Sequence, residues 1–219
     1  MEQTGRRKAL NFIVGALILV FVAIGIFSAV RFFAGRAQHL SLRGQQLEQY
    51  RTMLRPLVMN DPSAFDDVTL ANPDELLSIA IWNILLQNPD PDRYDFVEGQ
   101  MLLPKTEVEE SCRALFGADV SIRHATVDGG GVSFGYSEKK GCYIIPITGV
   151  NPIYTPQIDD VEISGDRVVL TVGYLSGEDY SRNEKGELIA PEPAKQMRVT
   201  LRRGADERFF ISALQDIYS

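Results

Sequence analysis

Two cysteines, two histidines and one tryptophan are all that this chain of 219 residues contains of those residue types. Two cysteines are too few for a framework of disulfides, and two histidines restrict both zinc coordination and acid–base catalysis. The formal charge is −7, with 22 basic against 29 acidic residues, so the chain lacks the basic surface that nucleic-acid binding requires. Walker A, H-E-x-x-H and G-x-G-x-x-G motifs are also missing. We therefore expect no nucleic-acid partner, no metal and no cofactor.

A long uncharged run, 22 residues from Ala9 to Val30, dominates the N-terminal part of the chain. As a helix it would be about 33 Å long, which is enough to cross a hydrocarbon core of about 30 Å. We therefore predict a transmembrane helix over residues 9–33, in contact with the lipid bilayer. The alternative is a cleaved signal peptide, because basic residues precede the run. However, the run exceeds the roughly 7–15 apolar residues of a signal peptide, and no Ala-x-Ala site follows it.

Charge is divided unevenly around this apolar run. The first 36 residues carry five basic residues and one acidic residue, which leaves 17 basic and 28 acidic residues, a net charge of −11, for the remainder. An acidic domain gains little from an anionic cytoplasmic leaflet, and long domains are translocated largely regardless of charge. We therefore predict a single-pass protein of the cell membrane, with a short cytoplasmic N-terminus at 1–8, a juxtamembrane linker at 34–46 and an extracytoplasmic domain at 47–219.

Apolar residues recur with the spacing of a helix in two segments near the start of this domain. Tyr50, Leu54 and Leu57 recur at intervals of three and four residues, which favours an amphipathic helix packed on its own domain over a short dimerisation helix. The second segment opens with Asn72 as the helix cap, and Glu75 stands at the position that completes a capping box. The residues that follow Glu75 are apolar on every side of the helix, so we predict that this helix is buried.

A third helix is predicted between Thr106 and Gly117, because Thr106 and Glu109 form a second capping box and glycine commonly ends helices. Its inward stripe consists of Val108, Cys112, Leu115 and Phe116. Cys142 begins a predicted strand further along the chain. In an extracytoplasmic domain we expect a disulfide between Cys112 and Cys142, which would contribute roughly 3–4 kcal/mol. Two free buried thiols are the alternative.

Beyond Gly117 the apolar spacing changes from helical to alternating. It predicts strands at 142–147, 158–163, 168–175, 195–203 and 208–214. A tight turn is expected at Gly165 and a long polar loop at 176–194. Helices followed by an antiparallel sheet indicate one α+β domain, in which the helices pack on one face of a twisted sheet.

In the order of its elements, this layout resembles the cone-shaped cystatin-like and nuclear-transport-factor-like folds. In length and layout it also resembles the bitopic assembly proteins of bacterial secretion and conjugation machines, which carry such a domain after a single span. The resemblance implies a role in envelope assembly. It rests on element order, and no functional residue is transferred by it.

Three local patterns match parts of catalytic motifs. Gly131–Gly135 matches G-x-S-x-G, but both histidines precede its serine, whereas such hydrolases need a histidine after it. Ser137 and Lys140 match S-x-x-K, but they lie in a glycine-bounded loop instead of a helix. Cys142 with His124 would suggest a cysteine nucleophile, but the surrounding sequence does not match that strand motif. We therefore interpret the first two as turns and favour a domain without catalytic activity.

Two clusters of acidic residues are candidates for binding sites. The first consists of Asn88, Asp90, Asp92 and Asp95. It fails the EF-hand template, which requires glycine at its sixth position and glutamate at its twelfth, so we interpret it as a stiff surface turn. The second consists of Asp159, Asp160 and Glu162, which we expect at a solvated strand edge across the sheet from Arg198 and Arg202.

Two functions remain after these exclusions. The first is a non-catalytic extracytoplasmic domain that binds a partner protein, with Arg198, Thr200, Arg202 and the 176–194 loop as the candidate surface. The second is a small-ligand binder, or a hydrolase or isomerase, with a pocket between sheet and helices. Its lining would include Tyr136, Tyr143, Tyr154 or Tyr174. A filled core favours the first function, and an open pocket with inward polar groups favours the second. Either function is compatible with a homo-oligomer of this chain.

Overall fold

The computed structural model describes residues 44–87, 93–146, 152–177, 181–182, 188–189 and 191–217. Their contacts group Gln49–Ser219 into one compact unit. The predicted N-terminus, the predicted transmembrane helix and most of the predicted linker lie outside the described residues. Among the helices of the described residues, none combines the length and the hydropathy that crossing a bilayer requires.

Helix α1 covers residues 44–60, so it already includes the last three residues of the predicted linker. Tyr50, Leu54 and Leu57 are buried, which agrees with a helix packed on its own domain. The helix continues for one turn beyond Pro56, where Nδ2 of Asn60 donates a hydrogen bond of 2.8 Å to the Pro56 carbonyl.

Helix α2, Pro73–Gln87, contains eight consecutive buried residues, which confirms the predicted burial on every side. Oδ1 of Asn72 accepts the Asp74 N–H at 3.1 Å, as expected of a cap. Glu75 does not complete the predicted capping box. Its carboxylate instead accepts hydrogen bonds from the N–H and the hydroxyl of Ser63, at 3.2 and 3.1 Å. Glu75 therefore fixes the connection between α1 and α2 to the start of α2.

Helix α3, Lys105–Phe116, begins earlier than the predicted capping box requires. Its N-cap is Pro104, which makes no side-chain capping bond, so the predicted box of Thr106 and Glu109 is wrong. The helix follows directly on a strand, and the Lys105 N–H is satisfied by the Gly141 carbonyl at 3.0 Å. A neighbouring loop thus replaces the side-chain cap that the sequence pattern indicated.

The strands form two antiparallel sheets. Sheet I has the order β1-β2-β5-β4-β3, with β1 at Asp95–Val97, β2 at Gln100–Pro104, β3 at Val127–Gly129, β4 at Val132–Ser137 and β5 at Cys142–Ile145. Sheet II has the order β11-β10-β7-β6, with β6 at Tyr154–Ser164, β7 at Arg167–Ser176, β10 at Lys195–Arg203 and β11 at Phe209–Asp216. A short ribbon of β8, Ser181–Arg182, and β9, Leu188–Ile189, lies within the predicted polar loop.

The α+β class is confirmed, and the five predicted strands are present as β5, β6, β7, β10 and β11. The prediction of one sheet is wrong. Strands β1 to β4 were not predicted. β1 has three exposed residues instead of an alternating pattern, and β3 and β4 each contain a glycine and flank a glycine turn, so their sequence pattern predicts a turn alone. The hairpin of β1 and β2 also separates α2 from α3, so the helices do not simply precede the strands.

A single cluster of buried side chains joins the three helices to both sheets. Sheet II contributes its inner face, which consists of alternate residues of β7 and β10: Val168, Leu170, Val172, Met197, Val199 and Leu201. Sheet I contributes Leu103, Phe134 and Tyr143, and each of them is fully buried. Apolar side chains thus fill the space between helices and sheets in the described part of the chain.

Candidate binding groove

A groove of about 1260 Å³ opens between the helices and one end of sheet II. Its first wall consists of the last turn of α2 and the outer side of α3. Its second wall consists of a 3-10 turn at Val68–Leu70 and of the region where β10 turns into β11. Its main apolar lining residues are Val68, Ile84, Ala114, Phe116, Phe209 and Phe210.

The end of α3 is fixed against the second wall of the groove. Gly117 ends the helix as predicted, with φ of +87°, and its N–H donates to the Arg113 carbonyl at 2.9 Å. A Cβ atom on Gly117 would lie 3.1 Å from the Phe210 ring. Glycine is required here by the positive φ, and its lack of a side chain lets the helix end approach Phe210 closely.

The 3-10 turn of the second wall is held by Asp67. Its Oδ1 accepts the Thr69 N–H at 2.9 Å and the Thr69 hydroxyl at 2.7 Å. These hydrogen bonds are the main reason that the pKa of Asp67 is lowered, and the charge of Arg202 adds to the effect. Asp67 therefore stays ionised near neutral pH, and its carboxylate is used to shape the turn.

Polar groups at the base of the groove hold α2 to α3. Nδ2 of Asn83 donates to Ser111 Oγ at 3.0 Å, and this hydroxyl donates to the Ala80 carbonyl at 2.9 Å. The side-chain amide of Gln87 donates to Asn83 Oδ1. Because these groups satisfy one another, recognition of a partner is left to the apolar lining and to the charges around it.

Nine charged side chains line the groove, of which four are basic and five acidic. Two pairs are neutralised within the groove: Arg93 with Glu107 at 2.9 Å, and Arg208 with Asp206 at 2.7 Å. Arg113 pairs with Glu109 outside it. Within the described ranges, the other four charged lining residues have no ion pair: Asp67, whose carboxylate is hydrogen-bonded to Thr69, and Glu110, Asp119 and Arg202. The groove thus presents unpaired charges of both signs beside an apolar floor.

The predicted face of Arg198, Thr200 and Arg202 does not form one surface. Arg202 lines the groove, whereas Arg198 lines a separate hollow of about 370 Å³. Thr200 is only 4% exposed, so its predicted exposure is wrong. It lies in the middle of sheet II, paired with Val169 of β7 and Ala213 of β11. Its small side chain is covered by these neighbours, which alternation along one strand cannot reveal.

The acidic residues of β6 lie on an edge strand, as expected, since β6 is the last strand of sheet II. They do not face Arg198 and Arg202 directly, because β7 lies between β6 and β10. Asp159 accepts a hydrogen bond from Gln196 at 2.9 Å. Of the first acidic cluster, Asp95 is exposed on β1 and the other three residues lie outside the described residues. The described ranges contain no cluster of three side chains suited to a metal ion.

Cys112 and Cys142 are both buried, and the structure has them as free thiols instead of the predicted disulfide. Cys112 belongs to the main hydrophobic cluster, and burial raises its pKa to about 12. Tyr143 belongs to the same cluster, and successive residues of a strand point to opposite faces, so Cys142 points away from it. This geometry favours two free thiols. The disulfide stays a prediction, and counting the thiols of the unfolded chain without reductant tests it.

The four tyrosines proposed to line a pocket do not line the groove. Tyr143 and Tyr174 are fully buried, and Tyr136 and Tyr154 are half-buried. Tyr154 and Tyr174 contact each other edge to face, with ring centroids 5.6 Å apart. These tyrosines therefore fill the space between helices and sheets where the pocket was expected.

One cluster of reactive side chains was missed in the sequence. Nε2 of His124 lies 3.0 Å from Glu109 Oε1, and its Nδ1 lies 3.0 Å from the Tyr143 hydroxyl. Tyr136 stacks on the imidazole with ring centroids 5.2 Å apart. Glu109 and Tyr143 are 15 and 19 residues from His124 in the sequence, so no local motif could have indicated the cluster. A carboxylate, an imidazole and a phenol in line are groups that can transfer protons.

The contacts of this cluster give it a structural role. Both ring nitrogens of His124 are occupied, because Nε2 lies within hydrogen-bond distance of the Glu109 carboxylate and Nδ1 within hydrogen-bond distance of the Tyr143 hydroxyl. Burial raises the pKa of Tyr143, so its hydroxyl stays protonated. The hydrogen bond from His124 is the main reason that the pKa of Glu109 is lowered. Since none of these three residues lines the groove, the cluster ties α3 to β5 and leaves no ring nitrogen for a substrate.

The patterns that match catalytic motifs lie in hairpins. Gly131–Gly135 covers the turn before β4 and most of that strand, and Ser133 within it is exposed. Glu138 to Lys140 form the exposed turn between β4 and β5. The interpretation of the S-x-x-K pattern as a turn therefore agrees with the structure. The interpretation of Gly131–Gly135 as a turn is wrong, because four of its five residues belong to strand β4.

Comparison with protein-family models, with curated proteins and with solved structures found no match to this chain. The function is therefore argued from the geometry of the groove and from the sequence.

Proposed function

We propose that this chain is a single-pass membrane protein whose extracytoplasmic domain is not an enzyme and binds a partner protein through the groove. The uncharged run of 22 residues and the net charge of −11 beyond residue 36 support the anchor and the orientation. The observation that carries the proposal is the groove between α2, α3 and the end of sheet II.

The size of the groove favours a polypeptide over a small ligand. Its volume is about 1260 Å³, whereas sites for small molecules usually have volumes of roughly 300–1,000 Å³. Its lining combines aromatic side chains such as Phe116 and Phe210 with charged residues around them, which is the usual composition of a protein interface. The small-ligand alternative has less support, because none of the four tyrosines expected to line its pocket lines the groove.

Unpaired charges in the groove suggest how a partner is oriented. Arg202 stands on the sheet wall, and Glu110 and Asp119 belong to the helical side. A partner segment with an acidic residue near Arg202 and a basic residue near Glu110 would pair two of the charges that lack an ion pair within the described residues. Such complementarity adds more to specificity and association rate than to affinity.

Site-specific photo-cross-linking tests the groove in the membranes of the producing cells. A photoreactive side chain at Ala114 or Ala118 would lie in the groove, and one at the exposed Ser133 of β4 would lie away from it as the control. We expect a discrete cross-linked polypeptide from the first two positions only. Its yield should fall in the charge-reversed variant Arg202→Glu, and the purified partner should bind the purified chain. Equal cross-linking from Ser133, or none from the groove, would overturn the proposal.

Protease protection on intact cells tests the orientation. Digestion of the domain from outside, with the N-terminus retained in the membrane, is expected for an extracytoplasmic domain. Protection of the domain until the cells are lysed would reverse the proposed localisation. Release of the whole chain by mild salt would contradict the membrane anchor.

A further inference from the structure

Strand β6 forms an edge of sheet II. It is the longest strand, with 11 residues, and it is the outermost strand of sheet II. In the described part of the chain, no strand pairs with its outer side. Unpaired edges of this kind accept an added strand through main-chain hydrogen bonds.

Only the second half of β6 is suited to such pairing. The first half contains Pro156, which lacks an N–H donor, and a β-bulge between Ile158 and Asp160 interrupts the strand. From Asp160 to Ser164 the register with β7 is regular up to the two-residue turn at Gly165, whose φ is +62°. This half is therefore a regular segment of five residues that ends at a tight hairpin.

The register decides which main-chain groups are free. Ser164 pairs with Arg167 across the turn, and in a two-residue hairpin this pair exchanges both of its hydrogen bonds. The main-chain groups of every second residue, Ser164, Glu162 and Asp160, then point toward β7. The N–H and C=O groups of Val161 and Ile163, which lie between them, point away from β7. Ile163 is also 60% exposed, so an added strand would gain both hydrogen bonds and an apolar contact.

Charge decides what kind of strand fits this edge. Asp160 and Glu162 lie on the same face of β6, and both are exposed. A second copy of this chain could add to this edge as an antiparallel strand. With Val161 opposite Val161, Asp160 would lie opposite Glu162; with Val161 opposite Ile163, Glu162 would lie opposite Glu162. Like charges directly opposite destabilise a strand pair, whereas opposite charges stabilise it. The edge therefore excludes itself as a partner and selects a basic one.

We propose that the edge formed by Asp160–Ser164 binds an extended segment of a partner protein in which apolar residues alternate with lysine or arginine. The apolar side chains of that segment would contact Ile163 and Val161 on one face. Its basic side chains would pair with Asp160 and Glu162 on the other face. This site is separate from the groove, because none of its residues lines the groove.

Peptide binding to the full-length chain in detergent micelles tests the proposal. The probe is the fluorescent peptide Lys-Val-Lys-Val-Lys-Val-Lys, and the control peptide has glutamate in place of every lysine. We expect at least about tenfold tighter binding of the lysine peptide, with an affinity that falls as salt is added. The variant Glu162→Lys should remove this preference or reverse it. Equal binding of the two peptides to the unchanged chain would overturn the proposal.

Substitution of Ile163 separates strand addition from mere charge attraction. Ile163→Pro removes an N–H that points outward and leaves the ladder with β7 intact, so we expect a loss of binding of about tenfold or more. Ile163→Val keeps the N–H and is the matched control, for which affinity should change little. Equal binding of the two variants would overturn the proposal.

Hydrogen exchange on the unchanged chain gives a readout that does not depend on how the variants fold. When the lysine peptide binds, the amides of Val161 and Ile163 should become protected. The amide of Glu162, which already pairs with β7, should change little. Peptide binding without new protection at Val161 and Ile163 would place the peptide elsewhere and contradict the proposed site.

Discussion

Most of helix α2 packs closely against its surroundings, whereas its last turn and one side of α3 line the open groove, and the contrast shows where this fold is fixed and where it is available. On the packed side, Trp82 Nε1 donates to the Gly129 carbonyl at 3.0 Å. A Cβ atom on Gly129 would lie 1.8 Å from Ser78 Oγ. On the open side, the same two helices form one wall of the groove. Close packing against sheet I thus holds the helices in place, and the residues toward sheet II are free to bind.

The largest effect is expected where the packed side has no room. Gly129→Ala should destabilise the chain by about 3 kcal/mol, since the new methyl group overlaps Ser78 and Asn60. Denaturant unfolding followed by the fluorescence of Trp82, the single tryptophan, measures this change. Gly135→Ala is the control, because its methyl group would be 4.0 Å from Ile144 and should change stability by less than about 0.5 kcal/mol. Similar changes in the free energy of unfolding for both substitutions would mean that the packed side rearranges to accommodate the methyl group.

The next effect concerns the histidine cluster, which ties α3 to β5. His124→Ala should cost about 2 kcal/mol, because Glu109 and Tyr143 both lose their hydrogen bond to the ring. Arg113→Ala is the matched control. It removes a half-exposed partner of the same carboxylate and should cost less than about 1 kcal/mol. Unfolding curves that coincide for His124→Ala and the unchanged chain would show that this cluster does not stabilise the fold.

Acid should weaken the same cluster, with a smaller effect. The pKa of Glu109 is lowered from its ordinary value of 4.5, so its carboxylate stabilises the folded chain above that pH. This contribution is lost as the pH falls through the lowered pKa. The chain should therefore exceed Glu109→Gln in stability by about 1 kcal/mol near pH 7, and the difference should shrink at lower pH. Unfolding at a series of pH values measures it, and a difference that persists below the pH at which Glu109 is protonated would contradict the assignment.

The smallest effect on stability is expected in the groove. Glu110→Ala, Asp119→Ala and Arg202→Ala should each change the free energy of unfolding by less than about 0.5 kcal/mol, because these side chains have no ion pair within the described ranges. The same substitutions should weaken partner binding. A stability loss as large as that of His124→Ala would mean that the open side is structural, and the contrast between the two sides would disappear.

Helices and strands with strong periodicity could be predicted from the sequence. The buried helix after Asn72 and the strand that ends at Arg203 are both present. The hairpin of β1 and β2 could not be predicted, because β1 has three exposed residues and no alternation. The capping boxes failed for a related reason, since Glu75 and Glu109 found partners far away in the chain that a local pattern does not contain.

The sequence by itself determined the α+β class, the apolar run near the start and the burial of most periodic positions, because these depend on residues close together in the chain. Tertiary structure alone decided that the Thr200 side chain is buried while Arg202 lines the groove. It also decided that both ring nitrogens of His124 are hydrogen-bonded, to Glu109 and Tyr143. Each of these outcomes depends on elements from distant parts of the chain. Alternation and spacing show which side of one element faces inward, and only packing shows what stands opposite.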